Sequence, residues 1–302
     1  MIFNKFKYFI KASSLGSLFT VTTKRKLSTY LLLTFIFTAC APKLKSNLNQ
    51  SFTPLSQNAL VVVLDITDDQ IIASKNIGEL KAVDNGFSEN CTYYETVENL
   101  KRLARAAGAN LIRITKQKNP DKWSTCHRLW AEAFKVENPQ AYETHIEWRA
   151  DRKLTWDDFK GEPDLENFPE ALAVTNSGFS YETGINLFKK GKVFVKSMFN
   201  TNLSWVLPQG RTDFILRHEQ VHFDITEIYS RKLRKELADA GITSENITKG
   251  KPIFDRISIQ LQKRQDKYDR ETKRGSKQET QENWEAIIEI ELAKYDLYKT
   301  ND

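Results

Sequence analysis

The spacing of apolar positions changes along the chain. Residues 59–64 are an unbroken apolar run, the pattern of a buried strand, and 78–83 predicts a second. Residues 91–107 switch to helical spacing, with Val97, Leu100, Leu103 and Ala104 on one stripe and Gly108 as the stop. Strands return at 110–116, where Leu111, Arg113 and Thr115 alternate with Ile112 and Ile114, and at 128–136. From residue 138 the texture differs. Trp148, Leu154, Trp156, Phe159 and Phe168 give an aromatic-rich opening, and 171–179 and 192–199 predict strands. A long helical pattern covers 212–240 and stops at Gly241. Further helices are expected at 253–272 and 280–298, the last with Trp284, Ile287, Ile288, Leu292 and Tyr295 on its apolar side. The expected class is α+β: a small α/β domain at 58–137, then a domain of antiparallel strands and helices at 138–302.

Composition changes this picture mainly at the N-terminus. The formal charge of +6 invites a nucleic-acid reading, but Lys5, Lys7, Lys11, Lys24, Arg25 and Lys26 fall within residues 1–39, which hold no acid. The remaining 39 basic residues face 39 acidic ones, so no polyanion footprint is expected on the folded part. No apolar run approaches the ~20 residues of a membrane-spanning helix. Lys24-Arg25-Lys26, an apolar stretch at 30–37 and then Thr38, Ala39 and Cys40 make residues 1–39 a signal peptide. A cysteine directly after a small residue resembles the lipobox of bacterial lipoproteins. This implies acylation of Cys40 and attachment to the cell envelope. Residues 40–57, polar and rich in Pro, Ser and Asn, read as a tether. Setting Cys40 aside leaves Cys91 and Cys126, an even pair expected to form a disulfide in an oxidising compartment. The competing use, a metal site with His127, lacks a second cysteine at C-x-x-C spacing.

The chemistry concentrates at 218–222, His-Glu-Gln-Val-His. On a helix, His218 and His222 lie about 40° apart and one turn along, so both imidazoles can reach one ion. Glu219 sits about 100° from His218, at the edge where it can take a proton from a water that zinc has acidified. Zinc needs a third protein ligand. Asp224 and Glu227 point about 240° and 180° from His218, so Glu227 reads as a salt-bridge partner of Arg231 instead. The third ligand is expected from a second helix, at Asp269 in the first place and at Glu271 in the second. Trp156, Phe159 and Trp205 are expected to pack the core, and His127 and His145 carry no assigned role.

These residues resemble a known family. L-T-W-D-D-F-K-G-E-P-D from Leu154, A-L-A-V-T-N-S-G-F, S-W-V, H-E-Q-V-H-F-D-I-T-E and Y-D-R-E-T with Trp284 look like the bacterial domain of unknown function 922, described as secreted zinc-dependent proteases. G-A-N-L-I-R-I and S-T-C-H-R look like a companion domain of such lipoproteins. The resemblance implies a zincin-like fold and a peptidase using Glu219 as base and His218, His222 and Asp269 as zinc ligands. Its partners would be a peptide or protein substrate and, through Cys40, a membrane; no nucleic acid is expected. The family's second motif runs Y-D-x-x-T-x-H, and its last position here is Arg274. Arginine stays protonated and binds no zinc. A ligand set using Asp269 is intact; one that needs position 274 is not. Two further readings stand beside peptide hydrolysis: a non-catalytic envelope lipoprotein that keeps the scaffold, and metal-assisted hydrolysis of another bond. On the peptidase reading, the strand at 192–199 is expected to offer an edge to an extended substrate.

Overall fold

The structure is a computed structural model that describes residues 42–84, 88, 90–183 and 191–300; the signal-peptide reading and Cys40 lie outside these residues. Residues 39–302 form one compact unit.

The first sheet is built from β1 (Lys43–Leu48), β2 (Val62–Leu64), β3 (Asn76–Val83), β4 (Leu111–Lys118) and β5 (Arg128–Phe134), in the order β1-β3-β5-β4-β2. Only β2 and β4 pair in parallel. Helix α1 (Tyr93–Ala107) covers one face, burying Val97, Leu100 and Ala104 against Leu80, Ala82, Ile112, Ile114, Leu129 and Ala131. A fully buried aliphatic side chain stabilises by about 1.5–3 kcal/mol, so this stripe fixes which face α1 presents. Thr92 and Glu95 cap the helix reciprocally, and Gly108 ends it at φ 74°. A Cβ at Gly108 would also meet Phe52 Cβ at 2.6 Å, so glycine is required there twice over.

Phe52 belongs to the segment expected to be a tether. From Lys43 on, that segment is ordered. Residues 43–48 pair with β3 as an edge strand, and Phe52 and Leu55 donate backbone hydrogen bonds to the end of α1. Its polar composition is that of a one-sided edge strand: Leu44 and Leu48 pack inward while Lys43, Lys45 and Asn47 face out. Two leucines are too sparse a signal to mark a strand without its partner.

Cys91 and Cys126 form the expected disulfide, which joins the start of α1 to the β4–β5 connection across 35 residues of sequence. Reducing it is expected to cost about 3–4 kcal/mol in the chain-entropy picture, read as a lower denaturant midpoint in the presence of reductant.

The second half begins with β6 (His145–Glu147). It continues through β7 (Ala173–Val174), β8 (Ser177–Thr183), β9 (Val193–Asn200) and β10 (Trp205–Val206). The strand expected at 171–179 is thus two strands in two sheets, β7 pairing with β10 and β8 with β9. Strand β9 is the centre of the order β6-β9-β8, and the Val195 carbonyl accepts from Arg234 Nε at 2.9 Å. Strand β8 covers one edge along Val193–Phe199. On the other, β6 takes Met198–Asn200, Trp148 N the Ser197 carbonyl and Arg234 the Val195 carbonyl, so 192–199 is not the open edge expected to pair with a substrate. Three helices complete the fold: α2 (Asp213–Asp239), α3 (Lys251–Thr272) and α4 (Gln278–Lys294). The apolar side of α4 is narrower than its sequence implies: Trp284 and Ile288 are buried, but Ile287 is 45% exposed.

Helix α2 is the spine. Val221, Ile225, Ile228, Leu233 and Leu237 pack on Phe254, Ile257, Tyr268, Trp284 and Ile288 of α3 and α4. Phe223 turns the other way, onto Phe199, Phe159, Ile146 and Leu154. Trp156 and Phe159 pack at a tilt in that second cluster, ring centroids 5.0 Å apart, and Trp205 is buried against Phe168, the packing role expected of them. No described helix is long and apolar enough to cross a membrane.

Candidate metal centre

Helix α2 starts where Thr212 caps it, its hydroxyl accepting from Ile215 N at 3.2 Å. Helix α3 runs back alongside α2 with opposite polarity, pairing His218 with Asp269 and His222 with Gln265. This register brings three donor atoms together. His218 Nε2 and His222 Nε2 are 3.2 Å apart, and Asp269 Oδ1 lies 3.2 and 3.0 Å from them. A tetrahedral ion with donors at about 2.0–2.1 Å spaces those donors about 3.3 Å apart. The triangle therefore has the size of one face of such a site. Among the described residues, these three form the one cluster of His, Cys, Asp or Glu with that convergence.

The surroundings orient the two rings differently. His222 Nδ1–H donates to Gln265 Oε1 at 2.7 Å, while Gln265 Nε2 donates to the His222 carbonyl at 2.9 Å. This double grip leaves Nε2 turned toward the cluster, the arrangement by which an outer partner fixes a ligating histidine. His218 is held by packing. Its ring stacks on Tyr268 with centroids 4.6 Å apart, and Gly275 closes its other side. A Cβ at 275 would come within 3.0 Å of the ring. The chain reaches Gly275 through three successive residues at positive φ, Lys273, Arg274 and Gly275, which turn it off the end of α3. His218 Nδ1 is buried without a hydrogen-bond partner. For a metal ion held by this cluster, replacing Gln265 with Ala is expected to weaken affinity by roughly 10–100-fold, measured by competition with a chromophoric chelator.

Electrostatics follow from the same contacts. Burial alone would push the His222 imidazole down. The hydrogen bond and charge of Asp269, with the charge of Glu219 and the hydrogen bond to Gln265, outweigh it and hold His222 up at about 9. Burial works against ionised Asp269 in turn, but hydrogen bonds from both histidines keep its carboxyl well below the usual range. Burial, then the negative charge of Glu219, keeps the Tyr268 phenol protonated far above its ordinary value. The two shifts have one cause, the hydrogen bonds between the imidazoles and the carboxylate, and the same three atoms are those that could hold a metal ion.

Glu219 is 3% exposed, and its Oε2 is buried with no hydrogen-bond partner. A buried carboxylate oxygen left unpaired is costly, and in a folded protein it marks a place for water, an ion or a substrate group. The side chain of Asp269 is 41% exposed against 3% for His218, so solvent reaches the cluster from the Asp269 side.

The other acids near the motif have structural work. Asp224 accepts from Trp148 Nε1 at 2.6 Å and Gln220 Nε2 at 2.8 Å, pinning the aromatic-rich opening onto α2. Glu227 pairs with Arg231 at 2.8 Å, as its helical angle implied, and with Arg234 at 2.9 Å. Glu271 accepts from Trp284 Nε1 at 3.0 Å, which leaves Asp269 as the carboxylate on the histidines. Arg274 turns to Glu170 at 3.4 Å. His145 Nε2 lies 3.4 Å from Asn200 Nδ2 at the far sheet, and His127, beside the disulfide, lies edge-on to Tyr93. Gln265, Tyr268 and Gly275 were not read from the sequence as parts of the site. A glycine three residues past a helix end, in Thr-Lys-Arg-Gly, was the one available signal.

Fold and cluster together define an α+β protein with a prospective metal centre between two antiparallel helices. Residues 200–276 match the profile of a family described as bacterial protein of unknown function (DUF922). The matched span contains α2 and α3 and all of His218, Glu219, His222, Asp269 and Gly275. No curated protein and no solved structure matches the chain.

Proposed function

We propose that the chain is a zinc-dependent endopeptidase with a zincin-like catalytic fold, acting in the bacterial envelope and anchored through an acylated Cys40. The observation that carries this reading is the triangle of His218 Nε2, His222 Nε2 and Asp269 Oδ1 beside a buried carboxylate, Glu219, with an unpaired oxygen. The donor set fits zinc: two imidazoles and one carboxylate, spaced for a tetrahedral face, with the fourth direction left to water or substrate. Zinc held by these residues supplies a Lewis acid that polarises a carbonyl and acidifies water.

The chain's own residues account for the rest. Glu219 accepts a proton from the attacking water as its oxygen bonds to the carbonyl carbon. It returns that proton to the departing nitrogen as the C–N bond breaks. Tyr268 and Gly275 hold the His218 ring in place, and Gln265 holds His222. The reading of a non-catalytic scaffold drew its ground from Arg274. The Arg274 side chain lies on Glu170 while Asp269 lies on the histidines, so a three-donor set without position 274 is assembled, which supports the catalytic reading.

Metal analysis tests this directly. The purified protein is expected to hold about one zinc per chain and His218→Ala to lose it. No zinc in either protein, even after reconstitution, would overturn the peptidase reading.

A further inference from the structure

One end of the first sheet gathers features the proposed catalysis does not use. The register places Lys43 of β1 beside Val83 of β3, and Arg128 of β5 beside Lys118 of β4, at the same end. Behind this row, Lys45 pairs with Lys81 and Lys81 with Trp130, on the face away from α1. Lys45, Lys81, Lys118, Arg128 and Trp130 line one shallow depression. Asp84 lines the same depression and accepts from the Ser124 hydroxyl at 2.9 Å. Among the described residues, Lys43, Lys45 and Lys118 have no carboxylate within 4.0 Å; Lys81 meets Glu79 and Arg128 meets Asp121.

The β4–β5 loop projects from that end and carries Trp123, 73% exposed, with Lys122 beside its ring. A tryptophan this exposed on a flexible loop would mean little, but this loop is braced. Asp121 Oδ1 accepts from the backbone of Trp123 and Ser124 at 2.8 and 3.1 Å, Arg128 holds Asp121 at 2.6 Å, and Cys126 ties the loop to α1. The fold thus maintains an indole in water with the Lys122 ammonium 5.2 Å from its ring, beside the basic end of the sheet. Such a pairing suits the headgroup layer of a bilayer, where an aromatic ring sits among the glycerol groups and lysines meet phosphates.

We propose that this end of the sheet, centred on Lys43, Lys118, Lys122 and Trp123, docks on the surface of an anionic phospholipid membrane. Where the chain leaves the sheet argues for the same occupant. Cys40 precedes Lys43 by three residues, a span of about 10 Å at full extension. In this respect the proposal rests on the acylated-Cys40 reading: a lipid there places this end, and no other, against the bilayer. The surface then fixes the orientation of an anchored protein that a single flexible attachment would leave free.

The test uses residues 39–302, the compact unit, with Cys40→Ser so that no acyl chain contributes. Binding is measured by co-sedimentation with phosphatidylcholine vesicles, with and without phosphatidylglycerol. The protein should bind only the anionic vesicles, release at high salt, and show a blue-shifted tryptophan emission that Trp123→Ala removes. Lys43→Glu with Lys118→Glu and Lys122→Glu should lower partitioning by on the order of 100-fold, about fivefold per lysine. The salt titration needs no variant, so a misfolded triple mutant would not blunt the test. Equal binding to both vesicles, no binding, or equally tight binding to soluble polyphosphate would overturn the proposal. Acylation is read separately, from incorporation of labelled fatty acid into the intact protein. Its absence alongside salt-sensitive vesicle binding would remove the anchor and leave the docking surface standing.

Discussion

On the proposed peptidase reading, Glu219→Gln is expected to lower peptide-bond hydrolysis by roughly 10²–10⁴-fold while leaving the metal content unchanged. Glutamine keeps the size and burial of the side chain but cannot accept a proton from water, and general-base catalysis contributes roughly 10²–10⁴-fold. Because Glu219 has no hydrogen-bond partner at Oε2, the amide breaks no contact there, and the fold should tolerate it. The measurement is turnover on a peptide library beside metal content for wild type and variant. Equal turnover with zinc retained would remove Glu219 from the chemistry. Loss of zinc in the variant would instead make Glu219 part of the metal's support.

The second large effect lies away from the centre. Glu227 is 2% exposed and accepts from Arg231, Arg234 and the Ser197 hydroxyl, the last at 2.6 Å. Arg231 in turn donates to the Leu292 carbonyl at 2.7 Å and Arg234 to that of Tyr298 at 2.9 Å. One carboxylate thus joins α2, β9 and the C-terminal helix. Glu227→Ala takes the near counter-charge from two guanidinium groups, one of them the buried Arg231, which keeps only Asp296 at 3.6 Å, and is expected to cost about 3–5 kcal/mol. For a chain of this size that is a fall in melting temperature on the order of 10 °C. Asp239→Ala, which removes an exposed partner of Lys235, is the control and should leave the melting temperature nearly unchanged. Equal melting temperatures for the two variants would show that the network is dispensable.

The site was legible in part because helical geometry is arithmetic. The angle of each residue from His218 placed His222 toward an ion, Asp224 and Glu227 away from it, and the structure shows those two on Trp148 and Arg231. Asp269 was reachable because a third donor had to come from a second helix with a carboxylate near its end. Gln265 and Gly275 were not reachable. A glutamine on a polar helix looks like solvated surface until the facing helix supplies His222, and a glycine past a helix end looks like a stop until its lack of a Cβ meets an imidazole. The short strands β6, β7 and β10, of two or three residues each, are too brief to show a period.

The sequence by itself determined the order of long elements, the helix that carries His218, Glu219 and His222, the cysteine pair, and the confinement of excess positive charge to the first 39 residues. Each is local or a count, settled by periodicity, spacing or composition. Only the tertiary structure decided that β9 is a central strand with its Val195 carbonyl taken by Arg234, that residues 43–48 form an edge strand, and that Asp269 rather than Glu271 meets the two histidines. These depend on which surfaces come together across tens of positions, from 10 between β8 and β9 to 51 between His218 and Asp269. Backbone hydrogen bonds and close packing select them, and neither leaves a mark on one segment read alone.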